Sequence, residues 1–230
     1  MSSSSGPRLA LFDCDGTLVD SLHGIHACMV AAFATEGLPA PSAVAVKRVI
    51  GLPLGECVTR LAPGESAARQ ASLTEAYKAV FFELRQRPDF HEPMFDGTLA
   101  ALDALEAAGF LLGIATGKGR RGLDAVLERH RLIGRFATLQ TSDAGPGKPH
   151  PAMVERALAE TGVAAVCASM IGDSVYDMQM ARTAGIHAVG VAWGYHTQAE
   201  LVASGAHVTV DRFADLHGVL SNRTGRAPCG

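Results

Sequence analysis

The chain has 230 residues, of which 48% are hydrophobic and 19% charged, a composition typical of a folded globular protein rather than a disordered one. This length is enough for one α/β domain with its own core and a smaller inserted module. The formal net charge of -3 gives no electrostatic reason to expect a nucleic acid polymer or an anionic membrane as partner.

Targeting signals are not recognisable in the sequence. The Ser-rich segment from Met1 to Arg8 lacks the apolar stretch of a signal peptide, and no apolar run reaches the roughly 18 residues of a membrane span. The sequence contains no C-x-x-C pair, so it does not suggest a structural zinc site. We therefore expect a cytoplasmic protein without a membrane anchor, and the sequence is compatible with a monomer or a homodimer.

The first predicted element is a buried strand over the apolar run from Arg8 to Phe12, which ends at Asp13 and a glycine turn. From residue 21 to 87 the pattern predicts helices interrupted by prolines, and it contains no convincing strand. In the first of these helices four apolar residues recur at helical spacing: Ile25, Met29, Ala32 and Phe33. We predict that residues 21–87 form an all-helical insert.

After Pro93 the sequence alternates between apolar runs and helical segments, the pattern of right-handed βαβ units. Strands are predicted at Phe110–Ala115, Phe136–Leu139, Val166–Ile171 and His187–Val191, with an edge strand at His207–Val210. The predicted fold is α/β, with a Rossmann-like parallel sheet formed by residues 1–20 and 88–220. A last helix at Asp211–Leu220 precedes a tail, residues 221–230, which we expect to be disordered.

Four predicted strand ends carry polar residues suited to phosphate or metal chemistry. They are Asp13 and Asp15 in the first loop, Thr116-Gly117-Lys118, Lys148 at the start of a predicted helix, and Asp173 with Asp177. Each group alone has an ordinary structural explanation, such as an N-cap or a solvated lysine. Because the carboxyl ends of parallel strands meet at one edge of a sheet, the four together predict a ligand site there.

The ordered set D-x-D-G-T-L-V-D-S, T-G, K-P and G-D-S-x-x-D resembles the four motifs of the haloacid dehalogenase superfamily, from about Arg8 to Leu220. The resemblance implies a Rossmann-like core whose α-helical cap follows the first motif. It further implies a magnesium-dependent phosphatase that cleaves a small phosphorylated metabolite through an aspartyl-phosphate. Within the superfamily, the motifs look most like the phosphoglycolate phosphatase group and its pyrophosphatase relatives.

By the same resemblance, Asp13 is the expected nucleophile and Asp15 the general acid and base. Thr116 and the Gly117 amide are expected to bind the phosphoryl oxygens, and Lys148 to offset their charge. The expected Mg²⁺ ligands are Asp13, the Asp15 backbone carbonyl, Asp173 and Asp177.

Further substrate-binding candidates surround these groups. Cys14 is expected in the core or the pocket wall, and Thr17 beside Asp15 in the first loop. Lys118 could reach a substrate carboxylate, and Arg48 precedes a loop of the insert, Gly51 to Pro53, that is expected to close on the site.

Other functions stay open at this point. A phosphotransferase similar to β-phosphoglucomutase and an inorganic pyrophosphatase would use the same motifs. A phosphoacceptor signalling domain combines similar residues but lacks a helical insert. Phosphoglycolate, a sugar phosphate, pyrophosphate and a nucleoside monophosphate are all compatible substrates, since motifs do not identify the leaving group.

Overall fold

A six-stranded parallel sheet forms the centre of the protein, whose computed structural model describes residues 6–222. The strands are β1 (Arg8–Phe12), β2 (Phe110–Ala115), β3 (Thr138–Gln140), β4 (Ala168–Gly172), β5 (His187–Val191) and β6 (Val208–Val210). Their spatial order is β3-β2-β1-β4-β5-β6, so the winding direction reverses beside β1. In such sheets a ligand site forms at the carboxyl ends of the strands where the order reverses.

Helices occupy most of the chain between the strands. Between β1 and β2 lie α1 (Leu22–Thr35), α2 (Ala43–Val49), α3 (Leu54–Leu61), α4 (Ala67–Leu84) and α5 (Thr98–Ala107). The later helices are α6 (Arg120–Arg129), α7 (Ala152–Thr161), α8 (Val175–Thr183), α9 (Gln198–Ala203) and α10 (Phe213–Ser221). We call α1 to α4, residues 22–84, the helical insert. The predicted fold class, α/β with a parallel sheet, is confirmed.

Strand β1 is buried on both faces, which explains its uninterrupted apolar sequence. Ala10 and Phe12 pack into a hydrophobic cluster with α5, α6 and α10, whereas Leu9 and Leu11 point to the opposite cluster, with α7 and α8. The strand is therefore held from both sides, and the loop that follows it starts from a rigid position.

The helical insert has a hydrophobic cluster of its own. Ile25, Met29 and Phe33, which recur at helical spacing in α1, are buried there together with Val46 of α2 and Val58 of α3. The cluster also includes Tyr195, which follows β5. Burial of this stripe explains why the amphipathic spacing was visible in the sequence.

Three strands, β3, β4 and β6, differ from their predicted bounds by one or two residues, and β6 begins at Val208 rather than His207. Strand β3 begins at Thr138 rather than Phe136, and β4 begins at Ala168 because Ala165–Cys167 forms a short 3-10 turn. At the C-terminus, α10 extends to Ser221, and most of the predicted tail, residues 223–230, lies outside the described residues. Between residues 6 and 222, no helix combines the length and the apolar character that a membrane span requires.

Candidate active site

The loop after β1 places Asp13 directly beside β4. The Asp13 backbone amide donates to the Ile171 carbonyl at 2.9 Å, and its Oδ1 accepts a hydrogen bond from the Cys14 amide at 2.6 Å. Gly16 follows with a φ of +82°, and a Cβ at this position would lie 2.3 Å from Asp173 Oδ2. Only glycine fits this close approach, so the loops after β1 and β4 are packed against each other.

Asp173 and Asp177 follow β4 and are held by hydrogen bonds. Asp173 Oδ1 accepts from the Thr17 hydroxyl at 2.8 Å, and its Oδ2 accepts from the Tyr195 amide at 2.9 Å. Ser174 caps α8 in a capping box with Asp177, whose Oδ2 accepts from the Ser174 hydroxyl at 2.6 Å. Asp177 Oδ1 is left facing the site.

Lys148 joins two of these acids. Its Nζ lies 2.7 Å from Asp13 Oδ2 and 2.6 Å from Asp177 Oδ1, and its side chain is fully buried. Burial opposes the charged ammonium, but the two carboxylates outweigh it and raise the pKa of Lys148. Lys148, predicted at the start of a helix, lies in the turn that precedes α7.

Three buried acids form a compact group around this lysine. Oxygen atoms of Asp13, Asp173 and Asp177 all lie within 4.8 Å of one another. Burial first, and then repulsion from Asp177, raises the pKa of Asp173 to about 7, and burial also raises the pKa of Asp13. One ammonium does not balance three carboxylates, and an all-oxygen donor set is the kind that Mg²⁺ prefers. The residues present fit a divalent cation.

A second buried lysine holds Asp15. Lys118 Nζ lies 3.0 Å from Asp15 Oδ1 and 3.3 Å from Oε1 of Glu92, and the side chains of Lys118 and Glu92 are 7% and 2% exposed. The Ser21 hydroxyl donates to the same Asp15 oxygen at 2.6 Å. Burial opposes the charge of Lys118, but Asp15 and Glu92 outweigh it and raise its pKa. The ammonium predicted to reach a substrate carboxylate thus already contacts two carboxylates of the protein.

A cavity of about 490 Å³ opens between these acids and the helical insert. Asp13, Asp15, Thr116, Gly117 and Lys118 line its inner end. Residues of all four insert helices line it as well, together with further core residues from α6 and from the segment after β3. The Thr116 hydroxyl also accepts a hydrogen bond from the Lys118 amide at 3.2 Å. The cavity therefore brings together the predicted nucleophile, acid and phosphoryl-binding residues.

Three of the predicted substrate-binding residues do not line this cavity. Cys14 is fully buried in the core, and Thr17 uses its hydroxyl to hold Asp173. The Arg48 guanidinium pairs with Glu200 of α9, away from the cavity. For these three, the sequence placed residues near the site without determining which way their side chains point.

Sequence reasoning assigned no role to Ser21 or Glu92. Ser21 belongs to the D-G-T-L-V-D-S segment, which was a usable signal, and the Tyr195 hydroxyl accepts from the Ser21 amide at 3.0 Å. Glu92 lies in the connection from α4 to α5, where no periodicity or motif distinguishes it. Its role depends on the folded position of Lys118.

The fold and the site define an α/β enzyme whose acidic active-site edge lies at the carboxyl ends of a parallel sheet. Residues 10–191 match the family model described as haloacid dehalogenase-like hydrolase. The chain belongs to this family, and the predicted resemblance is confirmed.

Curated relatives cover nearly the whole chain. A protein named probable phosphatase IndB from Dickeya dadantii is 36% identical over 215 residues, which span 91% of this chain and 92% of the relative. A phosphoglycolate phosphatase from Rhodospirillum rubrum is 36% identical over 217 residues, spanning 91% and 89% of the two chains. The predicted enzyme class, a phosphatase of this family, is confirmed.

Among solved structures, a hydrolase from Pseudomonas syringae superposes with a TM-score of 0.82 at 24% identity. It covers 95% of this chain and 100% of its own. At this level of identity the similarity establishes the shared fold.

Proposed function

We propose that the protein is a magnesium-dependent phosphatase that hydrolyses a small phosphorylated metabolite through an aspartyl-phosphate on Asp13. The observation that carries the proposal is Lys148, a buried ammonium between Asp177 and Asp13, and Asp13 lines the inner end of the cavity. A buried cation beside a strand-end carboxylate is suited to an anionic substrate. The relatives named phosphatase support the same reaction class.

Asp13, Asp173 and Asp177 are the side chains that would hold Mg²⁺, and the Asp15 carbonyl is proposed as a further ligand. The ion would supply positive charge between the carboxylates and the incoming phosphate, which otherwise repel each other. Thr17, Ser174 and Tyr195 hold Asp173 and Asp177 by hydrogen bonds, so these ligands are positioned before any ion binds.

In the proposed reaction, a carboxylate oxygen of Asp13 attacks phosphorus, and the bond from phosphorus to the ester oxygen breaks. Asp15 gives its proton to the departing alkoxide and then takes one from the water that attacks the aspartyl-phosphate. That attack breaks the bond between phosphorus and Asp13 and releases inorganic phosphate. The Thr116 hydroxyl, the Gly117 amide and Lys148 stabilise the phosphoryl oxygens.

The proposal also includes the setting in which this chemistry occurs. Residues 21–87 would act as a cap on a core formed by residues 1–20 and 88–220. We further propose a cytoplasmic enzyme that acts on small molecules rather than on nucleic acid polymers, as a monomer or a homodimer. Light scattering of the purified chain separates these two oligomeric states.

The test is phosphate release from a panel of phosphorylated metabolites, with Mg²⁺ and with chelator. Wild type should release phosphate only with Mg²⁺, and Asp13→Asn should release none. Asp89→Asn, which changes an exposed acid in the connection to α5, is the control. Stable labelling by a small phosphodonor without phosphate release would contradict the proposal and favour a phosphotransferase, and activity confined to pyrophosphate would favour a pyrophosphatase.

A further inference from the structure

The volume of the cavity is that of a site in which the insert already packs tightly on the core. A Cβ on Gly117 would lie 2.6 Å from the carbonyl oxygens of Gly51 and Leu52, and a Cβ on Gly147 would lie 2.3 Å from the Pro53 ring. The loop at residues 51–53 therefore already lies so close to both glycines that it has no room to approach the core further. The volume of about 490 Å³ is therefore a property of the docked insert.

This volume is far larger than a short leaving group requires. Glycolate has about five non-hydrogen atoms, whereas cavities of about 300–1,000 Å³ are typical of sites for much larger ligands. A phosphoglycolate molecule would leave most of the cavity to water. The dimensions fit a leaving group of several times that size.

The walls of the cavity are largely apolar and partly aromatic. The lining side chains of this kind that lie beside one another in the insert are Ile25, Met29, Val46, Ile50, Tyr77 and Phe81. The rings of Tyr77 and Phe81 stack with centroids 5.8 Å apart. Such a surface favours a ring or another flat apolar group through burial and ring stacking.

The cations in the cavity wall are not positioned to bind a substrate carboxylate that lies next to the phosphate ester. Of the described lining residues, Lys118 is the cation next to Asp15, and Asp15 and Glu92 already neutralise it. Lys78 pairs with Glu75. Arg85, just after α4, and Arg121 of α6 lie over the rings of Phe81 and Phe82. A carboxylate on the carbon that bears the phosphate would thus face Asp15 and an ammonium that the protein's own carboxylates already neutralise.

We infer that the substrate is a phosphomonoester with a bulky, ring-bearing leaving group and no carboxylate beside the ester. This inference rests on the proposed phosphatase function and specifies its substrate class. Nucleoside monophosphates and aryl-alkyl phosphates both present this chemistry, whereas phosphoglycolate does not.

The test compares two alkyl phosphates of similar intrinsic reactivity, 2-phenylethyl phosphate and ethyl phosphate, and adds phosphoglycolate and a nucleoside 5′-monophosphate. In wild type, kcat/KM should be roughly tenfold or more higher for the phenylethyl ester than for the ethyl ester. Phosphoglycolate should fall below both ring-bearing compounds. A higher kcat/KM for the nucleoside monophosphate than for the phenylethyl ester would identify the nucleoside class.

Cavity-filling variants locate the effect. Thr74 of α4 lines the cavity, so Thr74→Phe should bring the phenylethyl-to-ethyl ratio of kcat/KM close to one. Ala79→Phe, at an exposed position of α4, should keep the wild-type ratio. If Thr74→Phe does not fold by circular dichroism, Phe81→Leu should lower the same ratio by removing the ring.

The highest kcat/KM with phosphoglycolate, or a ratio that neither cavity variant changes, would overturn the inference and leave the phosphatase proposal intact. If no compound, including ethyl phosphate, releases phosphate, the phosphatase proposal fails and the inference fails with it.

Discussion

Two buried lysines each contact two carboxylates in this protein, and their surroundings differ. In the Lys148 cluster (Asp13, Lys148 and Asp177), both carboxylates closely follow strands of the parallel sheet, one in the loop after β1 and one in the first turn of α8. In the Lys118 cluster (Asp15, Glu92 and Lys118), one partner comes from the sheet and the other from the segment that returns from the helical insert. The first cluster depends on the core alone, and the second also depends on the position of the insert.

The connection that leaves the core for the insert contacts the same acid. The Ser21 hydroxyl hydrogen bonds to Asp15, so both connections of the insert, at Ser21 and at Glu92, meet around Asp15 and Lys118. The comparison indicates a division of roles. In the proposed mechanism, the Lys148 cluster provides charge for the nucleophile and the metal, and the Lys118 cluster couples the proposed acid to the insert.

Loss of Lys148 should have the largest effect. Lys148→Met should lower kcat by about 10³-fold, since a preorganised charge beside the phosphoryl group is removed. In chelator it should also lower the free energy of unfolding by about 3 kcal/mol, because Asp13 and Asp177 are left buried without a cation. Phosphate release and urea unfolding measure the two effects. Arg212→Met, which breaks an exposed ion pair, is the control, and equal effects of both variants would contradict the prediction.

Loss of Lys118 should lower kcat less, by about 10²-fold, because Asp15 remains but loses the ammonium that holds it beside the Ser21 hydroxyl. Lys118→Met leaves two buried carboxylates unpaired and should lower the free energy of unfolding by about 3 kcal/mol. Adding Glu92→Gln should restore part of this stability and little of the activity. A double variant as unstable as Lys118→Met would show that Glu92 and Lys118 are not coupled.

A methyl group between the core and the insert should have a moderate effect. Gly117→Ala places a Cβ 2.6 Å from the carbonyl oxygens of Gly51 and Leu52, so the insert must move outward. We expect a loss of kcat/KM of roughly tenfold, since displacements of about 1 Å already weaken catalysis. Gly64→Ala, where a Cβ meets nothing within 4 Å, is the control. Unchanged kinetics for Gly117→Ala would mean that the insert position does not matter.

Magnesium should stabilise the protein through Asp13, Asp173 and Asp177 and not through the Lys118 cluster. At 100 times its Kd, Mg²⁺ should add about 2.7 kcal/mol to the free energy of unfolding, which thermal unfolding detects as a higher Tm. Asp173→Asn should lose most of this shift, whereas Lys118→Met should retain it. A shift that disappears in Lys118→Met would contradict the separation of the two clusters.

The sequence by itself determined the fold class and most of the residues of the candidate active site. Strand β1 is buried on both faces, so its apolar run was legible, and the acids that follow the strands are fixed at one edge by the parallel sheet itself. Asp13, Asp15, Thr116, Lys148, Asp173 and Asp177 could be selected because each follows a recognisable strand or turn. Helical spacing likewise revealed α1.

Side-chain direction and long-range pairing were decided only by the tertiary structure. Cys14 and Thr17 are neighbours of the acids in sequence, yet one packs into the core and the other supports Asp173. Arg48 belongs to the insert but pairs with Glu200, and Glu92 carries no local signal. Local patterns specify which residues form strands and helices, whereas the partner of a buried charge depends on which distant segments the fold brings within a few ångströms.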